Sequence, residues 1–337
     1  MTFKSIDTHA ISNQCNSTYK KWVRFEKVVI SHGSDRLILK QKKDSPENDM
    51  IDFRNIAFDI KDDIKSNLEA GFKSMRNNID DEKLTESIEA GSSVDQVYYD
   101  SNLIATEETF NKYEAAILGA FLLGGGRSRK VLQNTVDSQL TGKREVIFEA
   151  KHRSVDDYIK KYTGEKITAI NQTQLENVRL VFADAYKNGH SVNKIKTRLK
   201  QSVGLNNRQM KALQNREAKL LKSGMSKTQV DRALKEYHKK LLGQRAEMIA
   251  KTEASFIKNH ALDLVVQQNY DLVNQEGMTL HKKWAVSIWD RACPICQGID
   301  GDEVPYPENF NGGYFKPPVH PVCYCEIILF YKVIKLN

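Results

Sequence analysis

Soft metal ligands are concentrated near the carboxyl end of this chain, and they constrain its fold more than any other sequence feature. They are Cys293, Cys296, His320, Cys323 and Cys325. The 23 residues between Cys296 and His320 include four glycines and four prolines, so they cannot build an apolar core. Ordering each residue costs about 1–2 kcal/mol, whereas structural zinc supplies about 10–16 kcal/mol of binding free energy that is realised as folding. The sequence therefore predicts a chain end that folds around zinc.

The spacing of these ligands predicts a closed, structural site. Cys293 and Cys296 are separated by two residues, as in a zinc knuckle, and His320 and Cys323 repeat that spacing. Structural zinc takes four nitrogen or sulfur ligands, so one of the five candidates is spare. Cys293, Cys296 and His320 are the first choices. Cys323 and Cys325 compete for the fourth position.

The cysteines are expected to be thiols rather than disulfides. Five cysteines is an odd number, and the first ten residues lack the apolar segment of a secretion signal. We therefore expect the chain to fold in a cytosol, where disulfides are rare, with Cys15 as a free thiol. No apolar run approaches the ~20 residues of a membrane span, so no membrane anchor is expected.

Carboxylates near the cysteines raise the alternative of a second, hydrolytic metal. They are Asp290, Asp300, Asp302, Glu303 and Glu308. Acidic residues in such loops are common turn formers, and a catalytic zinc needs a position left open for water. Four protein ligands fill the site predicted here. We therefore expect turn carboxylates and no catalysis.

Apolar residues recur at helical spacing through most of the chain, from residue 51 to about residue 271. One predicted helix ends at Gly124–Gly126. Residues 22–42 predict a β-hairpin, and residues 284–289 and 326–336 predict strands. The expected fold class is mainly α: a multi-helix body with a short N-terminal β-hairpin and a small, zinc-stabilised, β-rich α/β unit at the carboxyl end.

Composition divides the chain into four predicted segments. They are a hairpin extension (1–50), an acidic-to-neutral helical region (51–150), a basic helical domain (151–280) and the Cys/His unit (281–337). Residues 151–250 hold 22 Lys and Arg against 9 Asp and Glu, whereas residues 51–100 hold 6 against 12. The basic excess would attract DNA or an acidic protein surface. The alternative is an ordinary solvated helical surface.

Three segments carry a recognisable motif. Trp284 precedes an Asp-Arg-x-Cys-x-x-Cys knuckle at residues 290–296, and a Pro-Pro-x-His-Pro-x-Cys-x-Cys ending follows at residues 317–325. Upstream, residues 245–253 read Arg-Ala-x-x-Ile-Ala-x-Thr-Glu. Together they resemble the phage Mu F-like head morphogenesis family of minor capsid proteins, over about residues 155–326. Tyr324 departs from the family pattern, which usually has Arg there.

This resemblance implies a minor head protein of a tailed bacteriophage that acts with the portal in head morphogenesis. The expected location is the virion, at the head interior or portal vertex, after synthesis in the host cytoplasm. Expected partners are the portal protein, with capsid or scaffold proteins and packaged DNA as further candidates in DNA packaging or ejection. The family brings no catalytic residues. The alternatives are a zinc-organised, HNH-like nuclease, which needs a general-base histidine outside the zinc site, and a DNA-binding protein.

Overall fold

The computed structural model describes residues 46–139, 144–150, 153–274, 278–287 and 292–333. The described part is mainly helical and has a small antiparallel sheet near the carboxyl end, so the expected fold class is confirmed at this level. The predicted N-terminal hairpin lies outside the described residues. So does Cys15.

The helices take up most of the described chain. They are α1 (Pro46–Asn77), α2 (Asp81–Glu89), α3 (Val94–Asp100), α4 (Glu107–Gln139), α5 (Arg153–Asn188), α6 (Val192–Ser202), α7 (Asn207–Lys222), α8 (Lys227–Gln268), α9 (Tyr270–Val273) and α10 (Pro294–Ile299). The strands are β1 (Met278–Val286), β2 (Glu303–Pro305) and β3 (Cys325–Val333), in the order β2-β1-β3. The predicted strand at residues 284–289 therefore starts too late, because β1 begins at Met278.

The chain forms two compact units. Of the described residues, those within 46–64, 115–159 and 249–333 form the first, called the sheet unit, and those within 65–114 and 160–248 form the second, called the helical unit. The four segments inferred from composition remain a prediction.

Aromatic contacts and hydrogen bonds between side chains and the backbone stabilise the helical unit. Phe72 and Phe110 pack edge to face with ring centroids 5.8 Å apart. The Asn171 amide pairs with the Ala105 backbone, accepting from its N–H at 2.6 Å and donating to its C=O at 2.9 Å. Buried Arg245 donates to the Gly204 carbonyl at 2.7 Å, and burial lowers its pKa to about 10. These bonds satisfy groups whose burial would otherwise be costly.

Helices α7 and α8 form a helical hairpin within the helical unit. Gly224, at φ +76°, ends α7 in the left-handed conformation that favours glycine. Ser226 then begins α8, and its hydroxyl accepts from the Gln229 N–H at 3.4 Å. The Gln209 side chain, near the start of α7, donates to the Leu241 carbonyl of α8 at 2.8 Å. Because only four residues connect them, the two helices run antiparallel.

In the sheet unit, the predicted helix end at Gly124–Gly126 is wrong, because α4 continues through these glycines to Gln139. A Cβ at Gly125 would overlap the ring of Phe148. A Cβ at Gly124 would lie 3.2 Å from the Cβ of Ala261 on α8. Gly124 and Gly125 are therefore sites of close packing rather than a helix stop.

We expect Gly125→Ala to destabilise the protein by about 1–3 kcal/mol, the usual cost of overpacking a core. Gly119 is the matched control, because it lies on the same helix and a Cβ added there would meet no atom within 4 Å. Gly119→Ala should stabilise by up to about 1 kcal/mol through helix propensity. Urea unfolding of the two variants checks both values. Equal effects would contradict the packing role of Gly125.

None of the described helices has the length and apolarity required to span a membrane.

Candidate metal centre

The ligands come from three local structures that the sequence brings together. Cys293 caps α10, and the Cys296 N–H lies 3.4 Å from the Cys293 sulfur, as in a zinc knuckle. Cys325 is the first residue of β3. His320 and Cys323 lie on the loop before β3, where Val322 takes φ +59°. A positive φ at a β-branched residue is rare, so this loop is held by its surroundings.

The five predicted ligands converge in two overlapping groups. One group is Cys293, Cys296 and His320, and the other is Cys296, Cys323 and Cys325; within each, the ligand atoms lie within 4.8 Å of one another. Cys296 belongs to both groups. All five residues that the sequence predicted are thus brought together.

The distances at Cys296 fit a tetrahedral metal. Its Sγ lies 3.8 Å from Cys323 Sγ and 3.3 Å from His320 Nε2. Zn–S bonds of about 2.3 Å in a tetrahedron place two sulfurs about 3.8 Å apart. A disulfide would need about 2.05 Å, and all four described cysteines are free thiols. The donor set therefore fits a metal ion.

His320 is oriented so that Nε2 faces the sulfurs. Its Nδ1 lies 2.9 Å from the Pro321 carbonyl, and only a protonated Nδ1 can make that hydrogen bond. The tautomer inferred from this partner leaves the Nε2 lone pair free for a metal.

Without a bound cation, the pKa shifts of the cluster favour one ionised thiol and keep its neighbours protonated. Hydrogen bonds, chiefly from Cys325, lower the pKa of Cys323. Burial raises the pKa of Cys296, and the neighbouring Cys323 raises that of Cys325. The neighbouring thiols therefore stabilise the Cys323 thiolate by donating hydrogen bonds to it. A divalent cation would allow the remaining ligands to ionise.

A small apolar core surrounds the sulfurs. It consists of Trp284, Cys296, Ile299, Phe310, Cys323 and Cys325. Trp284 is fully buried, and its ring meets Phe310 edge to face at 5.3 Å. The ligands thus form part of this core, and the metal site and the local fold depend on each other.

The nearby carboxylates act mostly in turns and exposed pairs. Asp300 accepts from the Val286 N–H and Asp302 from the Asn311 N–H, each at 2.8 Å. Glu303 pairs with lysines at 3.0 and 3.2 Å. Of the other two predicted carboxylates, Glu308 is exposed and Asp290 lies outside the described residues.

Polar side chains on the buried part of α8 hold the carboxyl-terminal lobe, by which we mean the described residues from Met278 to Val333. Thr252 accepts from the Val322 N–H at 3.0 Å, within the ligand loop. Asn259 donates to the Cys325 carbonyl and accepts from the Ile327 N–H, each at 3.3 Å. Sequence reasoning placed Thr252 in a family motif and on a packing face of the helix, and it did not predict the role of Asn259.

Two ionic contacts continue this row along α8. Lys258 and Glu326 form a buried pair at 2.6 Å, with their side chains 6% and 5% exposed. Asp263 accepts from Tyr306 and from Lys316, each at 2.5 Å. No sequence pattern indicated either pair, because each joins residues more than 40 positions apart.

Lys282, on β1, contacts the loop that contains Phe315. It is completely buried, donates to the Phe315 carbonyl at 2.7 Å, and lies 3.4 Å from the centroid of the Phe315 ring. Burial lowers its pKa to about 7. The cation–π contact and the carbonyl partly replace the water that the ammonium loses.

Glu253 follows Thr252 and is 1% exposed. Burial raises the pKa of its carboxyl to about 8 from an ordinary value of 4.5. Between these values the folded protein holds a proton that the unfolded chain has lost. Stability from this group is therefore present at low pH and falls as pH rises, by roughly 1.4 kcal/mol per pH unit.

We expect Glu253→Gln to remove this pH dependence. The difference in unfolding free energy between variant and wild type should increase in favour of the variant by roughly 1.4 kcal/mol per pH unit between pH 5.5 and pH 7. Urea denaturation at several pH values measures it. Glu236→Gln, at an exposed position of the same helix, is the control and should parallel the wild type. A Glu253→Gln curve that also runs parallel would contradict the inferred protonation.

Comparison with known families gives a match for part of this chain. Residues 211–328 match the family model described as Phage Mu protein F like protein. The matched stretch begins in α7 and ends in β3, so it contains residues 245–253 and all five ligands. Over these residues the resemblance inferred from the sequence is confirmed, and it points to phage head morphogenesis. No curated protein and no solved structure gives a significant match.

Proposed function

We propose, because residues 211–328 match the family model described as Phage Mu protein F like protein, that this chain is a minor head protein of a tailed bacteriophage and acts beside the portal during head morphogenesis. The family match carries the proposal. It covers the part of the chain that contains the complete ligand cluster and the helix that holds it. The protein is then a component of the virion, made in the host cytoplasm.

The metal in this proposal is a structural zinc ion. Three thiolates and one imidazole are a typical closed zinc set, and His320 already presents Nε2 towards Cys296. Cys293, Cys296 and His320 would be three of the ligands, with Cys323 or Cys325 as the fourth. Bound zinc supplies charge compensation for the thiolates. The chain's own residues then fix the loop before β3 against α8.

The proposed role is non-catalytic. A hydrolytic centre needs free carboxylates or a general base beside an open metal position. Here Asp300 and Asp302 accept backbone N–H groups, and Glu303 pairs with Lys283 and Lys332. These contacts support a structural role over an HNH-like nuclease. Incubation of the metal-loaded protein with plasmid and Mg²⁺ or Mn²⁺ should leave the plasmid intact, and reproducible cutting by purified protein would contradict this part of the proposal.

Particle composition tests the assignment to the head. Heads are assembled with the chain, once with and once without the portal protein, and the chain is quantified in purified particles by mass spectrometry. We expect it in portal-containing heads and its loss from portal-free heads. Retention in both would overturn the portal partnership. Absence from both would overturn the assignment as a head protein.

A further inference from the structure

The hairpin formed by α7 and α8 carries an unusual number of exposed cations. Residues 207–240, called the basic hairpin, hold ten Lys and Arg against three Asp and Glu. All ten cationic side chains are exposed. They are Arg208, Lys211, Arg216, Lys219, Lys222, Lys227, Arg232, Lys235, Lys239 and Lys240.

Helical periodicity sorts most of these cations into two stripes. On α7, Arg208, Lys211, Lys219 and Lys222 fall on the face opposite the buried residues Met210, Leu213 and Leu220. At 1.5 Å per residue this stripe is about 21 Å long. On α8, Arg232, Lys235 and Lys239 fall opposite the buried residues Val230, Leu234 and Leu241. Each helix therefore directs its charge away from the core that it builds.

The charge of the basic hairpin is not neutralised within the described structure. Glu217 is engaged by Arg198 at 2.5 Å and by Lys194 at 3.7 Å, both outside the hairpin. Asp231 and Glu236 are exposed. Among the described residues, none of the ten cations forms an ion pair with a carboxylate. A row of free cations raises the local concentration of a polyanion.

The composition of the basic hairpin favours duplex DNA over a protein partner. Seven of its ten cations are lysines, and lysine is depleted in protein–protein interfaces, which are enriched in aromatic residues, Met and Arg. Leu221, 49% exposed, is the one large exposed apolar residue of the hairpin. Single-strand binding relies on exposed aromatic rings that stack on bases, whereas the one Phe, Trp or Tyr of this hairpin, Tyr237, is half-buried. Phosphate contacts alone do not need such rings.

We infer that the basic hairpin binds the phosphate backbone of duplex DNA without sequence preference. The inference deepens the proposed function, because packaged duplex DNA is the polyanion inside a phage head. Binding of this kind releases counterions, so affinity falls with salt by about 0.9 logarithmic units per phosphate contact for each tenfold increase in salt.

The test uses the full chain, metal-loaded, and labelled 30-bp duplexes of two unrelated sequences. Fluorescence anisotropy gives the affinity between 50 and 200 mM NaCl for the wild type and two triple variants. The hairpin triple is Lys211→Gln, Lys219→Gln and Lys222→Gln. The control triple is Lys73→Gln, Lys112→Gln and Lys187→Gln, which removes the same charge from exposed positions of the helical unit outside the hairpin. Circular dichroism melts establish that both variants fold.

We expect equal wild-type affinity for both duplexes. The hairpin triple should bind about tenfold or more weakly at 50 mM salt, with a salt slope smaller by up to about 2.7, whereas the control triple stays within about threefold of wild type. Three results would overturn the inference: no wild-type binding, equal losses in both triples, or polyglutamate competing as well as duplex at equal charge. The last would assign the surface to an acidic protein.

The particle experiment separates this inference from the proposed function. Wild-type chain that enters portal-containing heads but fails to bind duplex DNA would overturn the inference alone. A chain that binds duplex through the hairpin but is absent from heads would overturn the proposed function and leave the DNA surface in place.

Discussion

Replacing Cys296 by serine is expected to abolish metal binding and to unfold the carboxyl-terminal lobe. Cys296 is the one residue shared by both ligand groups, and its sulfur lies 3.3 Å from His320 Nε2 and 3.8 Å from Cys323 Sγ. Zinc binding of about 10–16 kcal/mol is comparable to the whole stability of a typical domain, about 5–15 kcal/mol. Elemental analysis should fall from about one zinc per chain to none, and near-ultraviolet circular dichroism should lose the signal of buried Trp284.

Serine variants of the other cysteines are the controls and also identify the fourth ligand. Cys15→Ser should keep the metal, because Cys15 stands far from the cluster in sequence. Of Cys323→Ser and Cys325→Ser, the variant that removes the ligand should behave like Cys296→Ser, and the other should keep its zinc. Retention of a full metal equivalent by Cys296→Ser would contradict the assigned centre.

Replacing Lys258 by methionine is expected to cost about 3–5 kcal/mol, the usual penalty for breaking a buried ion pair. The variant leaves the Glu326 carboxylate buried without the ammonium of Lys258. The Ser287 hydroxyl still donates to this carboxylate at 3.2 Å, but it carries no charge. The loss should be seen as a lower urea midpoint with an unchanged slope. A reduced slope would mean that part of the lobe had already unfolded.

Two further variants test whether the cost comes from the unpaired charge. Lys258→Met combined with Glu326→Leu removes both charges, and such replacements are often neutral or stabilising by about 1–4 kcal/mol. Lys200 and Asp81 pair at the same 2.6 Å distance but with side chains 32% and 55% exposed, so Lys200→Met should cost no more than about 1 kcal/mol. Equal losses for Lys258→Met and Lys200→Met would contradict the role of burial.

The ligand cluster could be predicted from the sequence because metal ligation depends on residue type and short spacing. Cys293 and Cys296 are close in any conformation, and the Gly- and Pro-rich stretch that follows needs an external source of folding free energy. The identity of the metal as zinc remains a prediction. The choice between Cys323 and Cys325 also remains a prediction, because residue spacing brings both sulfurs near the site.

The contacts that position the cluster could not be predicted, because they join distant parts of the chain. Asn259 pairs with the backbone of β3, and Asn269 pairs with the Ile147 backbone at 2.9 and 2.7 Å. Each asparagine side chain bonds a backbone N–H and a backbone C=O, as a neighbouring strand would. No local sequence pattern indicates such a role. The last third of α8 is buried on nearly all sides. Its sequence therefore has no distinct polar face, and the pattern of apolar residues does not indicate which face contacts the lobe.

The glycines of α4 show the same limit in another form. A run of three glycines usually ends a helix, because glycine costs about 1 kcal/mol relative to alanine in a helix interior. Here Phe148 and Ala261 occupy the space that side chains would fill. The packing partners follow the glycines by more than twenty positions, beyond the reach of a local pattern.

The row formed by Thr252, Lys258, Asn259 and Asp263 restricts how such genes can recombine. A crossover between residues 268 and 278 would join the lobe encoded by one gene to the α8 helix encoded by another, and each mismatched position would bury a polar group without its counterpart. A crossover near residue 249, where the chain divides into its two compact units, would cut α8 but would keep its last part, with all four of these residues, in one block with the lobe. Exchange among related genes should therefore leave junctions near residue 249.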